Sequence, residues 1–159
     1  MIMLTSYGQK NIEISLQQDT RLLLVGDEKG NDPLSINLLS KIEFPVYQLE
    51  KNHLSTYFSM EYADLVGGSF QRYAIGAAYV VKRIYKKIGS VLYLDLGSIY
   101  RKSSNFFSLS VSGELNYKLN PNLKLIFSQQ LSQRKDLEAL YNSDKKYIVS
   151  GFVGVKYKL

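Results

Sequence analysis

The sequence predicts an all-β fold, a closed antiparallel up-and-down β-barrel of eight strands that crosses a membrane. Apolar and polar residues alternate with a period of two in eight segments, and turn-rich stretches separate these segments. Several segments run about 12 to 16 residues, whereas strands of soluble proteins average about 5–6. A tilted strand needs about 9–11 residues to cross the hydrocarbon of a membrane. A helical period is visible only as a turn or two near residues 136–140.

The predicted strands follow one another without a linker, a low-complexity tract or a block of charge. The sixth alternates most clearly, because Leu109 and Val111 share one face while Ser110 and Glu114 share the other. Eight is an even number and the smallest usual size of a bacterial barrel. We therefore predict one domain over residues 1–159, with strands at 11–25, 34–46, 54–65, 69–84, 89–101, 105–119, 122–133 and 145–159.

The composition excludes several classes of protein. The chain has no run of about 18 apolar residues, which excludes a helical membrane protein. It has no cysteine, which excludes disulfides and cysteine-ligated metal sites, and its single histidine excludes a site with several histidine ligands. The net charge of +6 suits nucleic acid, an anionic membrane surface or mere solubility, since the charges are scattered.

Aromatic side chains recur at the ends of the apolar faces, where the chain would enter and leave a membrane. Ten residues at about 3.3 Å each, tilted by about 40–45°, span roughly 24 Å, close to the ≈25 Å band between the aromatic girdles of membrane barrels. Tyrosine suits such an interface because its ring is apolar and its hydroxyl needs water; alternatively, aromatic residues simply favour strands. The predicted membrane-interface aromatics are Tyr62, Tyr73, Tyr85, Tyr100, Phe107, Tyr117, Tyr147 and Tyr157.

The opposite faces of the strands carry charges of both signs in near balance. The interior of an eight-stranded barrel is only wide enough to be filled by side chains, so a balanced set predicts a closed polar plug rather than a pore. On a soluble sandwich the same residues would form a solvated surface. The predicted lumen network is Glu13, Arg21, Glu43, Glu61, Arg72, Asp95, Glu114 and Lys124, with Lys41, Lys82 and Lys156 on the same face.

The last predicted strand places Gly151, Val153, Val155, Tyr157 and Leu159 on one face. This resembles the C-terminal signature of outer-membrane barrels: apolar alternation, an aromatic residue third from the end and a hydrophobic last residue, usually Phe and here Leu. Length and strand number are similar to those of the small OmpA/OmpX-like barrels. The resemblance implies a bacterial outer membrane, lipid and lipopolysaccharide as partners, and surface loops with structural, adhesive or lipid-modifying roles.

The first residues lack the basic, apolar and small-residue regions of a secretory signal peptide. A protein of the outer membrane must be exported, so the numbered chain is expected to be a mature form. The alternative is a protein that reaches its place without secretion, a soluble all-β structural protein of a virion or another assembly.

One local pattern suggests catalysis. His53-Leu54-Ser55 has the His-x-Ser spacing of outer-membrane lipid A deacylases, in which a histidine would activate a serine. The pair is predicted to lie in a solvated turn, and the wider motif is missing. We therefore predict no catalytic, metal or cofactor site, and a lipid A-modifying hydrolase is the least favoured alternative.

Basic residues fall in the predicted outer loops or at strand ends. They would contact lipopolysaccharide phosphates or form a solvated rim. Nucleic-acid binding would need a basic groove with stacking aromatics and is not expected. The favoured function is a non-enzymatic outer-membrane barrel with a plugged lumen that acts through its surface loops. The basic residues are Arg101, Lys102, Arg134, Lys135, Lys145 and Lys146.

Overall fold

The computed structural model describes residues 12–27 and 30–159, and these form a closed eight-stranded antiparallel barrel. Each strand pairs with its neighbours in sequence, and the first pairs with the last. The predicted fold class is therefore confirmed. The strands are β1 (Glu13–Asp19), β2 (Asn37–Gln48), β3 (Asn52–Ala63), β4 (Phe70–Tyr85), β5 (Ile88–Arg101), β6 (Ser104–Lys118), β7 (Leu123–Gln133) and β8 (Tyr147–Lys158).

Closure is visible in the register of β1. Leu16 lies opposite Ser40 of β2 on one side and opposite Val155 of β8 on the other. An open sandwich would place the first and last strands in separate sheets, so the closed circuit excludes that alternative. Closure also leaves no sheet edge with unpaired backbone groups, which in hydrocarbon would cost several kcal/mol each.

The prediction for the first strand, residues 11–25, is wrong beyond Asp19. The chain turns there into helix α1 (Thr20–Leu24). The Asp19 carboxylate accepts the backbone N–H groups of Arg21 at 2.9 Å and Leu22 at 3.0 Å, and so caps the new helix. Three consecutive leucines at 22–24 also break the alternation that a strand needs. Residue 11 lies outside the described residues.

The two ends of the barrel differ in their connections. At one end, called here the long-loop end, lie connections 20–36, 64–69, 102–103 and 134–146; at the other, the short-turn end, lie 49–51, 86–87 and 119–122. Connection 134–146 contains helix α2 (Lys135–Tyr141), where the sequence shows its only helical turn. Within the described residues, neither helix has the length and apolar character needed to traverse a bilayer.

The wall of the barrel has its polarity inverted relative to a soluble protein. In β6, Val111 is 38% exposed and Leu115 is 54% exposed. Glu114 lies between them in sequence but on the opposite face of the strand, and it is 2% exposed. The same pattern holds around the circuit, with serines, glutamines and charged residues buried inside and leucine, valine and isoleucine outside. The charged side chains of the wall therefore lie mainly in the interior, together with buried apolar clusters such as Ala63, Phe70 and Ile99.

Candidate functional site

The centre of the lumen is organised around Lys156 of β8. Its ammonium lies 2.7 Å from Glu43 Oε1 and 2.6 Å from Glu114 Oε1, and it donates a hydrogen bond to the Tyr93 hydroxyl at 2.7 Å. That hydroxyl also lies 2.7 Å from Glu43 Oε1 and 3.0 Å from Glu114 Oε2. Residues from four strands thus meet at one point, which we call the central cluster.

A second ion pair lies beside the central cluster. Arg72 forms a salt bridge with Asp95, and Asp95 also accepts hydrogen bonds from Tyr57 at 2.6 Å and Ser110 at 2.8 Å. Arg72 also donates to the Ser108 hydroxyl at 3.1 Å. The carboxylate of Asp95 is therefore satisfied by three side chains, as a buried charge requires.

The two ion-paired groups are joined by aromatic rings. The rings of Tyr57 and Tyr93 meet edge to face with centroids 5.1 Å apart. The ammonium of Lys41 lies 3.6 Å from the Tyr93 centroid and 5.8 Å from that of Tyr57, and among the described residues it has no hydrogen-bond acceptor. A desolvated cation over an aromatic face is attracted by the ring quadrupole. Lys41 and Lys156 together balance the charges of Glu43 and Glu114.

The long-loop end of the lumen is closed by a latch formed by Asp136, Arg134 and Arg101. Asp136 projects from α2 and is 0% exposed. It accepts two hydrogen bonds from Arg134, at 2.8 Å each, and lies 3.3 Å from Arg101 Nη1. Arg134 in turn stacks over the Phe70 ring at 4.2 Å. The latch fixes α2 across the opening.

The two arginines set the ionisation of Asp136. Burial by itself would raise the pKa of this carboxyl, but the hydrogen bonds and charges of Arg134 and Arg101 outweigh burial and hold its pKa below the usual range. Asp136 is therefore ionised at neutral pH, and the latch is a charged one.

The short-turn end contains a cavity of about 250 Å³. Its lining includes His53 and four lysines, Lys82, Lys118, Lys124 and Lys158. Lys124 pairs with Glu13 at 2.6 Å, and Lys82 donates to Gln48 at 3.0 Å. The cavity is thus mainly basic.

The placement of His53 and Ser55 in a solvated turn is wrong, since both belong to strand β3. Ser55 points into the barrel and is buried. In the described part of the chain no hydrogen bond joins the two side chains, and His53 Nδ1 has no hydrogen-bond partner. Nor do the described residues bring three or more His, Asp or Glu side chains together in a way that could hold a metal ion. In the described part of the chain, His53 and Ser55 are therefore not arranged as a general base bonded to its nucleophile.

The structure brings together most of the residues predicted to form the lumen network. Glu43, Glu61, Arg72, Asp95 and Glu114 are buried inside, and the Glu13–Lys124 pair lies at the short-turn end. Arg21 is a correction: it is exposed in α1, because the strand that would have turned it inward has already ended at Asp19.

The predicted interface aromatics lie on the outer wall. Tyr62 and Tyr100 flank Gln71 in register near the long-loop end, and Tyr62 is half-buried. The other seven are exposed: Tyr73, Tyr85, Tyr100, Phe107, Tyr117, Tyr147 and Tyr157. Their contact with a membrane interface stays a prediction.

The basic loop residues divide into two groups. Arg101 and Arg134 are buried in the latch and are not free to bind an external phosphate. Lys102, Lys135, Lys145 and Lys146 are exposed at the long-loop end. Exposed apolar residues lie at the same end, namely Leu24, Val25, Leu34 and Val66, which we call the rim patch.

Sequence reasoning missed Tyr57, Tyr93 and the latch. The two tyrosines were signalled by their phase, because Tyr57 alternates with Ser55 and Ser59, and Tyr93 alternates with Asp95. The latch had no comparable signal, since Arg101 and Asp136 are 35 residues apart in sequence.

The fold is shared with solved outer-membrane proteins. The chain is 17% identical to the outer-membrane protein Ail of Yersinia pestis in a phospholipid bilayer nanodisc, with a TM-score of 0.57, and the match covers 95% of this chain and 100% of Ail. The crystal structure of Ail, the attachment invasion locus protein, matches at 15% identity and a TM-score of 0.54, over 94% of this chain and 97% of Ail. At this identity the likeness establishes the fold alone.

A third match is Ail in complex with the heparin analogue sucrose octasulfate, at 17% identity and a TM-score of 0.50, over 94% of this chain and 97% of Ail. No known family model matches the sequence, and no curated protein matches it.

Proposed function

We propose that this chain is a non-enzymatic barrel of the bacterial outer membrane, with a lumen closed by side chains and a surface-interaction role at its long-loop end. The inverted wall carries the proposal. An outward apolar face around the whole circuit needs an apolar solvent, and the buried carboxylates of Glu43, Glu114 and Asp95 are paired with cations inside the lumen.

The closed lumen argues for a structural or binding role rather than transport. Arg72, Tyr57, Tyr93 and Lys156 are each at most 1% exposed and fill the central cross-section. Eight strands leave room for packed side chains and not for an aqueous channel. The lack of a hydrogen bond between His53 and Ser55 in the described part of the chain supports a non-enzymatic role.

We place the long-loop end on the cell surface, because outer-membrane barrels carry short periplasmic turns and longer extracellular loops. In this orientation the four exposed lysines of that end would meet the phosphates of lipopolysaccharide. The rim patch beside them would supply apolar contact to a surface ligand. Ail, which has the same fold, was crystallised with a sulfated ligand, and an anionic ligand would also suit these lysines.

A pair of substitutions on β6 tests the membrane wall. Val111 faces outward near the middle of the strand, and Ser110 beside it faces inward. Val111→Arg should cost about 2–4 kcal/mol, because it places a charge near the midplane of the bilayer, and should prevent folding into phospholipid vesicles. Folding is measured by circular dichroism and protease protection after dilution from urea.

Ser110→Lys is the matched control, since its charge enters the polar interior beside Asp95. It should fold substantially better than Val111→Arg. Equal folding of the two variants in vesicles, or folding of the wild-type chain in water without lipid, would refute the membrane wall.

A further inference from the structure

Gln129 is a polar side chain on the outer wall, where we expect hydrocarbon around it. Gln129 is exposed on the outward face of β7, between Phe127 and Leu131. Its register partners are Gly113 of β6 and Gly151 of β8, which also face outward. Gln129 is thus an amide with a glycine on either side.

The depth of this position follows from the aromatic residues of the flanking strands. Gly113 lies six residues from Phe107 and four from Tyr117, and Gly151 lies four residues from Tyr147 and six from Tyr157. Four residues of a tilted strand span roughly 10 Å. A glutamine side chain reaches roughly 5 Å from its Cα, so Gln129 cannot reach either aromatic level.

Other polar side chains on the outward face find partners within the barrel. The Ser40 hydroxyl donates to the Met60 carbonyl at 3.2 Å, and the Thr56 hydroxyl donates to the Gly76 carbonyl at 3.1 Å. Gln129 has no such partner among the described residues. An unsatisfied amide in hydrocarbon is costly, so its donors and acceptor require a group from outside the described part of the chain.

The surface around Gln129 is shaped for close approach. An open cavity of about 600 Å³, which we call the groove, borders Gly113 and Gln129, and its lining combines outward-facing residues such as Val111 and Phe127 with inward-facing ones such as Ser112. A Cβ atom added at Gly113 would meet nothing within 4 Å. Small residues in a membrane interface let two backbones approach closely, and a polar side chain there forms intermolecular hydrogen bonds.

We infer that this groove is the contact surface of a dimer in the membrane plane, with a second copy of this chain as the occupant. Two copies inserted in the same direction are related by a two-fold axis along the membrane normal. Residues at equal depth then meet, so Gln129 faces the same residue of the second copy. The amide is its own complement, since it has both donors and an acceptor.

The same symmetry places β6 of one copy against β8 of the other, with β7 on the axis. The open space beside Gly113 then receives outward-facing side chains from β8 of the second copy. A lipid acyl chain would fill the groove but offers no hydrogen-bonding group to the amide. A second copy supplies both the shape and the chemistry.

This inference rests on the proposed membrane location and is tested after insertion has been shown. The full chain has no cysteine, so Lys145→Cys at the exposed long-loop end provides one site for donor or acceptor dyes. Energy transfer between labelled copies is then measured in phospholipid vesicles at decreasing protein-to-lipid ratios. Wild-type protein should show transfer that titrates as a dimer.

Two variants remove the contact without harming the monomer. Gln129→Leu removes the amide and should weaken dimerisation about tenfold, while the monomer unfolds in urea no more easily than the wild type. Gly113→Leu places a large side chain in the groove, at a position where the monomer has free space. It should abolish the energy transfer between labelled copies. Thr56→Val is the control, because its hydroxyl is already bonded within the barrel, and it should dimerise like the wild type.

Inserted wild-type protein without energy transfer beyond random proximity would overturn the inference while leaving the proposed function intact. Transfer that is unchanged in both Gln129→Leu and Gly113→Leu would also overturn it, because the copies would then meet elsewhere. A chain that fails to insert at all would count against the proposed function itself.

Discussion

At the scale of single residues, the interior depends on charges that have no access to water. Lys156 is 1% exposed and touches two carboxylates and a phenol. Removing a charge from water costs several kcal/mol, and only good geometry with further hydrogen bonds recovers that cost. The central cluster meets this condition because each of its carboxylates contacts both the ammonium and the Tyr93 hydroxyl.

Substitution of Lys156 should therefore be severe. Lys156→Met leaves Glu43 and Glu114 buried with Lys41 nearby but without a hydrogen-bonded cation, and we expect a loss of about 3–5 kcal/mol in the free energy of unfolding. The measurement is urea unfolding of the protein in phospholipid vesicles, followed by circular dichroism.

Two further variants separate charge from packing in this prediction. Lys146→Met removes one partner of an exposed pair, Lys146–Glu138 at 3.6 Å, and should cost less than about 1 kcal/mol. Adding Glu114→Gln to Lys156→Met removes one of the uncompensated charges and should recover part of the loss. A Lys156→Met protein as stable as the wild type would show that the cluster does not hold the interior together.

At the scale of elements, helix α2 is held mainly by its charged latch. It has seven residues, too few to be stable by itself in water. Its buried contacts are those of Asp136 and Leu137, and Arg134 and Arg101 bind Asp136 from the ends of β7 and β5. At the other end of α2 the Tyr141 hydroxyl donates to the Gly67 carbonyl and its ring lies against Arg101, so the Asp136 carboxylate holds the first turn of the helix.

Asp136→Asn should release α2 from the lumen, because a neutral amide cannot replace the charge between two arginines. Trypsin cuts after arginine and lysine, so cleavage of the folded protein at Arg134 and Lys135 at neutral pH should become faster. Glu138→Gln, on the exposed side of the same helix, is the matched control and should be cut at the wild-type rate. Equal rates for Asp136→Asn and the control would contradict the latch.

Acid should open the same latch in the wild-type protein. The pKa of Asp136 is held below its ordinary value, so its contribution to stability is present above the unfolded pKa of about 3.9 and is lost as the pH falls through the folded pKa. Cleavage of connection 134–146 by pepsin should therefore rise below about pH 4. The rise should be absent in Asp136→Asn, which is open at every pH, and a parallel rise in both proteins would contradict the assignment.

At the scale of the whole molecule, the barrel exists only if β1 and β8 meet. Leu16 and Val155 are register partners across this seam, and both face outward. Since the chain has no cysteine of its own, Leu16→Cys with Val155→Cys should form a disulfide in the folded protein and shift its mobility on a denaturing gel. Opposed residues of neighbouring strands bring their Cβ atoms within about 4.5–5.5 Å.

The control for this crosslink keeps the first cysteine and moves the second. Val149 faces the same side of β8 but lies six residues, or roughly 20 Å, from Val155. Leu16→Cys with Val149→Cys should stay unlinked under the same oxidant. Crosslinking of both pairs, or of neither in folded protein, would show that the seam has a different register.

The sequence by itself determined the strand number and the two faces of the wall, whereas the pairing of β1 with β8 decided between the predicted barrel and a sandwich. Side chains alternate along a strand as a local property of the backbone, so residues 107–119 show which of their positions face inward without knowledge of any partner. The same local rule places Gln129 on the outward face. The alternation rule gave a wrong prediction after Asp19. There the Asp19 carboxylate caps helix α1, and β1 ends earlier than the alternation predicts.

Only the tertiary structure decided which of the inward charges meet. Lys156, Glu43 and Glu114 lie on β8, β2 and β6, and their contact depends on how far each strand is staggered around the closed circuit. The latch likewise joins Arg101, at the end of β5, to Arg134 and Asp136 of connection 134–146, and it buries two arginines that appear external in the sequence. Alternation is set by each residue's own backbone, whereas pairing across a lumen is set by the shear of the whole barrel.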